Sequence, residues 1–196
     1  MGSLRPPQPV KLVCSLFAGE PALLDQAREA LERRFGPVDY ESELLPFEHT
    51  AYYQAEFGAG LLRRILSFER LIDPADLAEI KLAANDLEAR WMTEGRRRVN
   101  IDPGYISLAK LVLATTKNHG HRIYLRGGIY AEVTLRYRDG GFQVWEWTYP
   151  DYGSERYRRI TGLANPLSPA RRPAGRCARR SRAGCGCAGR SPPRGR

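Results

Sequence analysis

Asp139-Gly140 stands between two alternating runs, residues 129–137 and 142–147, and that dipeptide in that setting is the strongest short-range hairpin signal in the chain. A type I′ turn needs positive φ at both central residues, which Asp and Gly tolerate and most residues do not. The register follows from the turn. Tyr137 faces Phe142 and Leu135 faces Val144, so Ile129, Ala131, Val133, Leu135 and Tyr137 share an inward face. The opposite face sets Arg136 beside Gln143, Thr134 beside Trp145 and Glu132 beside Trp147. Two tryptophans on a nominally outer face call for a covering element or a ligand, with a covering element the favoured reading.

Upstream, Val10, Leu12, Cys14 and Leu16 alternate with Lys11, Val13, Ser15 and Phe17, which predicts a strand with apolar content on both faces. Residues 20–35 place Leu24, Ala27, Leu31 and Phe35 at helical spacing between Pro21 and the Gly36-Pro37 stop. Residues 38–47 read as a second strand, leading into a loop at Pro46. Residues 61–72 read as a third, although Arg63, Arg64, Glu69 and Arg70 would also suit a helical turn. Asp73-Pro74 then opens a helix, since Asp caps free N–H groups and Pro is tolerated in the first turn. Leu77, Ile80, Ala84, Leu87 and Trp91 keep one face apolar up to Gly95, which closes it. Residues 106–116 are apolar apart from Ser107 and Lys110 and predict a central strand, and residues 122–125 a short one. This order predicts an α+β fold, a ferredoxin-like βαββαβ sandwich extended by additional antiparallel strands.

The formal charge of +9 suggests a polyanionic partner until it is located. Residues 164–196 hold nine arginines and no acid, which leaves 22 basic against 22 acidic residues in positions 1–163. A neutral body draws in no nucleic acid, so no specific nucleic-acid partner is expected. The 33-residue tail is almost entirely Arg, Ala, Pro, Gly, Ser and Cys and cannot bury a core. Its Cys177, Cys185 and Cys187 lack the fourth ligand of a zinc site. The abrupt loss of pattern reads as a shifted frame or damaged terminus, the alternative being a solvated basic extension that binds RNA or acidic lipid weakly. Residues 1–9, with three prolines, are expected to be disordered, leaving 10–163 as a single domain. No run reaches membrane length, so the chain is read as cytoplasmic with no membrane partner, and Cys14 as a buried thiol in a reducing compartment.

The richest polar cluster flanks the 106–116 run: Asn100-Ile101-Asp102-Pro103-Gly104-Tyr105 before it, and Thr115-Thr116-Lys117-Asn118-His119-Gly120-His121-Arg122 after it. Thr116-Lys117 resembles the start of the guanine-reading [N/T]-K-x-D, but His119 stands where the base-reading carboxylate belongs. No G-x-x-x-x-G-K-[ST] follows Gly58-Ala59-Gly60 or Gly127-Gly128, and no G-x-G-x-x-G follows the first strand. Asp102-Pro103-Gly104 is one residue short of D-x-x-G. Acid/base chemistry here would use His121, with Asp102 or Glu132 orienting it and Lys117 and Arg122 holding an anion. The bland alternative, and the weightier one, has Asp102 capping a turn and the cations solvated. His49, His119 and His121 offer only one H-x-H pair, so no metal site is expected.

A resemblance adds to this. Asp102-Pro103-Gly104-Tyr105, residues 110–117, His121-Arg122-Ile123-Tyr124-Leu125, residues 128–135 and Trp147-Thr148-Tyr149-Pro150-Asp151-Tyr152 closely resemble the bacterial family "domain of unknown function 4416". Residues 66–74, and Pro46-Phe47 with Tyr52-Tyr53, look like the same family. Its members continue past the Tyr-Pro-Asp-Tyr element into a C-terminal helix, and this chain departs from that pattern at its Arg-rich tail. Members are often labelled GTP-binding proteins, but the resemblance carries over no catalytic residue and no cofactor. Three readings stand. The first is a site for a small anionic ligand, a guanine nucleotide at a noncanonical site being one form, built from Lys110, Thr116, Lys117, His121 and Arg122 with Trp145 or Trp147 as a stacking surface. The second is an enzyme acting on a phosphorylated or carboxylated substrate with His121 as acid or base. The third is a protein-interaction module whose aromatic face, Trp145, Trp147 and Tyr130, binds a partner.

Overall fold

A computed structural model describes residues 2–47 and 53–164. His49, Tyr52 and the basic tail with Cys177, Cys185 and Cys187 lie outside the described residues. The fold is α+β. Its elements run β1 (Val10–Ala18), α1 (Pro21–Phe35), β2 (Val38–Glu41), β3 (Leu45–Pro46), α2 (Gln54–Phe57), β4 (Leu62–Ile72), a 3₁₀ turn (Pro74–Asp76) and α3 (Leu77–Ala89). They continue with β5 (Val99–Ile106), β6 (Lys110–Thr115), β7 (Ile123–Arg126), β8 (Ile129–Arg138), β9 (Gly141–Val144), α4 (Pro150–Gly153) and α5 (Glu155–Ala164). Residues 2–9 carry no regular structure and are exposed. Among the described residues no helix is long and apolar enough to cross a membrane.

Nine strands among the described residues pair antiparallel in the order β2-β4-β1-β5-β6-β8-β7, with β3 also on β4 and β9 on β8. The order β5-β1-β4-β2, with α1 and α3 packed on one face, is the ferredoxin-like arrangement. β1 is its centre and is buried along all nine residues. Leu12, Cys14 and Leu16 meet α1 and α3, whereas Val13 joins Ile106, Leu111, Leu135 and the α5 residues Tyr157 and Ile160 on the other face. Asp73 accepts a hydrogen bond from the Ala75 N–H at 2.9 Å, so the predicted cap is present.

Several boundaries differ from the expectations. The 38–47 run is two strands, β2 and β3, with Ser42 between them: its N–H donates to the Ile65 carbonyl, but its hydroxyl, in place of its carbonyl, accepts from the Ile65 N–H. Residues 62–72 are strand throughout, as read from sequence, with Arg63 and Arg64 each paired with a carboxylate rather than placed on a helical turn. α3 stops at Ala89, and Gly95, with φ 74°, instead forms the turn closed by reciprocal Thr93 and Arg96 bonds. The single strand predicted for 106–116 is a hairpin: Ser107 donates to the Lys110 carbonyl, Leu108 is exposed, and the chain reverses between β5 and β6. The fourth strand of the ferredoxin-like unit is therefore β5. The C-terminal helix of the family, from which the resemblance has this chain departing at its Arg-rich tail, is present as α5 (Glu155–Ala164).

The Asp139-Gly140 turn is as predicted, with φ of 52° and 82°, and the pairs Leu135–Val144 and Tyr137–Phe142 form. The common inward face does not extend along β8. Leu111 pairs with Leu135 but Val112 pairs with Val133, so Thr134 is an extra residue, a bulge that reverses which side each neighbour presents. Ile129, Ala131 and Val133 consequently face α3, while Glu132 and Leu135 lie on the other side with Leu113. The ladder ends at Val144, so Thr134–Trp145 and Glu132–Trp147 are not cross-strand pairs. Residues 145–148 instead fill the edge of β8 between β7 and β9. The Trp147 indole N–H donates to Val133 O at 3.1 Å, and the Thr148 hydroxyl donates to Thr134 O at 2.7 Å while accepting from Trp145 N–H at 2.8 Å.

Candidate functional site

The sheet is split where β5 meets β6. Only Gly104–Leu113, Tyr105–Val112 and Ile106–Leu111 pair. Below that point β5 continues on β1 and β6 continues on β8, so the two strands part. Pro103 has no N–H to offer a ladder. Gly104 allows the close approach above it: a Cβ there would come within 2.6 Å of Leu113 Cδ2 and nearer still to the Val112 carbonyl oxygen. α3 crosses the split on one side and the Tyr149–Tyr152 segment on the other, leaving a cavity of about 420 Å³.

Three groups of side chains line it. On the α3 and β5 wall, Lys81 is buried and donates to Ile101 O at 2.7 Å and to Asp102 Oδ1 at 3.2 Å, with Glu88 at 3.8 Å. Asn100 donates to Asp102 Oδ2 at 2.7 Å. Glu88 accepts from the Ile101 N–H at 2.6 Å and from Arg97 at 3.0 Å, and burial pushes its carboxyl above the ordinary range. Arg97 also grips Glu56 with two bonds, 2.7 and 2.9 Å, which hold its own pKa up and that of Glu56 down.

At the second wall Arg63 pairs with Asp151, both buried, and its guanidinium lies 3.8 Å from the Phe47 ring centroid, with Tyr152 and Tyr157 also within cation–π range. Burial opposes the charge on Arg63, but Asp151 together with Tyr152, Tyr157 and Asp102 outweighs it and the pKa is raised. Burial likewise pushes the Tyr152 phenol up, keeping it neutral.

The third wall holds Thr115, Thr116, Lys117, Arg122 and Glu132. Arg122 donates to Glu132 at 2.7 Å, to Lys117 O at 3.0 Å and to the Tyr149 hydroxyl at 3.3 Å. Burial opposes its charge, and these bonds raise its pKa regardless. The Lys117 ammonium is exposed at the rim, 5.9 Å from the Tyr53 ring centroid.

A protein-family model described as Domain of unknown function (DUF4416) matches residues 8–164. The chain belongs to the DUF4416 family. The match covers the whole α+β domain, so the split sheet and its cavity lie inside the DUF4416 region. No curated protein and no solved structure matches the chain.

Of the residues singled out in the sequence, the DUF4416 fold brings Asp102, Thr116, Lys117, Arg122 and Glu132 to the cavity. His121 lies outside it. Its Nε2 is 3.2 Å from Glu132 Oε2, and its ring is stacked in a column: Arg136 over Trp145 at 4.5 Å, Trp145 on Trp147 at 5.2 Å, Trp147 on His121 at 5.3 Å, His121 on His119 at 6.0 Å. Trp145 and Trp147 therefore spend their ring faces on each other and on neighbours, half-buried. Lys110 sits at the opposite end of β6, paired with Arg136. Among the described residues no cluster of three metal-ligating side chains occurs.

Arg63, Lys81, Glu88, Arg97 and Asp151 were not anticipated from sequence. Lys81 and Glu88 had a signal: they fall at i+4 from Leu77 and Ala84, so each interrupts the buried stripe of α3 with a charge. Arg63 had a weaker one, a charge within an apolar strand. Nothing in sequence joins Asp151 to a residue 88 positions away.

Proposed function

We propose that this chain binds a small organic anion in the cavity between β5 and β6. The observation that carries the reading is a cavity of about 420 Å³ lined by five cationic side chains against four carboxylates, three of the cations with side chains no more than 5% exposed. Buried charges are costly unless something holds them there, and a volume in the range of small-molecule sites is a reason to keep them. Thr115, Thr116 and Lys117 at the rim supply hydroxyl donors and a positive charge at the opening. Tyr53, Tyr149 and Met92 supply apolar surface for the ligand's body. A guanine nucleotide is the least supported form of this ligand, because the chain lacks a glycine-rich phosphate cradle and the base-reading carboxylate.

The enzyme reading comes second. Its support is the His121–Glu132 contact at 3.2 Å, the pairing that acid/base work by His121 requires. Glu132 stands between His121 and the cavity, so acid/base chemistry on a bound molecule would fall to Asp102 or Glu88. The stacked column leaves the interaction-module reading without an open aromatic face at Trp145 and Trp147.

Calorimetric titration of the full chain with inorganic phosphate, GTP, GDP and ATP, with and without Mg²⁺, tests the reading. One-to-one saturation lost in Lys117→Ala is the expected result for at least one anion. A folded chain that saturates with none of them at millimolar concentration would overturn it.

A further inference from the structure

One oxygen of Glu132 serves two side chains. Its Oε2 accepts from the Arg122 Nε at 2.7 Å and lies 3.2 Å from the His121 Nε2, while Oε1 accepts from the Thr134 hydroxyl at 3.1 Å. The side chains of Glu132 and Arg122 are 2% and 3% exposed, and both residues line the cavity; His121 is 25% exposed and lies outside it. The carboxylate is thus a bridge between an imidazole that reaches water and a guanidinium that reaches the ligand space. A ring nitrogen facing a carboxylate oxygen carries its hydrogen, so Nε2 donates whether the ring is neutral or charged, and charging adds the second proton at Nδ1.

The groups that face His121 come from three places. β8 supplies Glu132, and the 145–148 segment supplies the Trp147 ring, stacked at 5.3 Å and 10°, and carries the exposed Glu146. Its own loop supplies Arg122 and His119, the latter stacked at 6.0 Å. The buried carboxylate and the indole face attract a charged ring, whereas Arg122 and a charged His119 oppose it. With His121 neutral, Arg122 and Glu132 cancel. With it charged, the three groups together carry one positive charge, and the carboxylate divides its attraction between two cations, which leaves Arg122 more open to a ligand's negative charge.

We infer that the site takes up a proton along with its anion: His121 is the seat of the proton, Glu132 the bridge, and Arg122 the group through which that charge is felt in the cavity. The inference rests on the reading of the cavity as an anion site and adds its regulation, tighter binding on the acid side of the histidine range and looser binding on the alkaline side. The coupling is reciprocal, so the anion draws on the proton as much as the proton draws on the anion.

Sulfate and ethanesulfonate are the probes, because neither changes its own charge between about pH 5.5 and 8, the range in which a histidine titrates. Calorimetric titration of the full chain is expected to show one-to-one binding that tightens as pH falls, with net proton uptake read from the dependence of the binding heat on the ionisation enthalpy of the buffer. His121→Gln keeps a donor toward Glu132 without a charge, and His121→Phe keeps a ring on Trp147. The ratio of affinities at the two ends of the range is expected to be about fivefold or more greater in wild type than in either variant, and to persist in His119→Gln. Glu88, the cavity carboxyl that burial pushes up, also takes up a proton as pH falls, but its share is present in every variant and drops out of the comparison. A ratio in the His121 variants equal to that of wild type, or one lost in His119→Gln alone, overturns the inference. Probes that bind with no dependence on pH leave the anion reading standing and remove the proton. If neither probe nor inorganic phosphate saturates the chain at either end of the range, both fall.

Discussion

Gly104→Ala is the sharpest perturbation the split sheet offers. An added Cβ would come within 2.6 Å of Leu113 Cδ2 and closer to the Val112 carbonyl oxygen, and the second of these is backbone held in the β6–β8 ladder. A side chain can rotate away, but the carbonyl can move only if β6 moves. Overpacking of this kind costs about 1–3 kcal/mol, and a backbone obstacle places Gly104 at the upper end. The loss of unfolded-state freedom on replacing Gly returns about 0.4–1 kcal/mol, so the net destabilisation is about 2–2.6 kcal/mol. For a domain of this size each kcal/mol lowers Tm by roughly 2–4 °C, which gives a fall of about 4–10 °C. Gly120→Ala is the control, since nothing lies within 4 Å of its Cβ. Urea unfolding followed by tryptophan fluorescence should show the large loss at Gly104 and a change within about 0.5 kcal/mol at Gly120. A loss below about 1 kcal/mol at Gly104, or equal losses at the two sites, would refute the account of how β5 and β6 are joined.

Arg63→Met strands the buried Asp151 carboxylate, and the expected cost is about 3–5 kcal/mol by chemical denaturation; the double change with Asp151→Asn recovers a large part of it. Glu88 has a folded pKa raised by burial, so its protonated form favours the fold: its contribution is complete below the ordinary glutamate range and is lost as pH rises through the folded value. Wild type should therefore lose stability relative to Glu88→Gln as pH climbs from below 4.5, and a wild type that holds or gains stability relative to that variant contradicts the assignment. Trp147→Phe removes the indole donor to Val133 O at the β8 bulge and should cost about 1–3 kcal/mol in urea unfolding. The Cys14 thiol is fully buried and pushed up by burial, so iodoacetamide should label the Cys14 peptide only after denaturant is added, as read by mass spectrometry.

Periodicity and turn chemistry carried the fold a long way. β1, α1, the Asp73 cap and the Asp139-Gly140 hairpin all follow from rules that act over a few residues, and they appear where those rules put them. The failures share a cause: each depends on a contact that local sequence does not encode. Ser107-Leu108-Ala109 lacks a glycine or proline to mark its turn, so the largely apolar 106–116 run concealed the boundary between β5 and β6. The Thr134 bulge is set by pairing with β6, and it moved Leu135 to the face opposite Val133. The site was half legible for the same reason. Asp102, Thr116, Lys117, Arg122 and Glu132 were visible as a polar cluster around one apolar run, whereas Lys81, Glu88, Arg63 and Asp151 reach the cavity from α3, β4 and α4, elements whose placement only the folded chain fixes.

The three residue pairs that join β5 to β6 also divide the sheet mechanically. On one side are β2, β3, β4, β1 and β5, and on the other β6 to β9; between them the ladder is a short seam with a void below it. α3 on one face and α5 on the other are packed across both sides and act as straps. Backbone amides at Gly104, Tyr105 and Ile106 therefore sit at the axis about which the halves would hinge, and a molecule bridging the void would work as a second seam. Hydrogen exchange at those amides then becomes a gauge of occupancy for the whole site, readable without knowing what fills it.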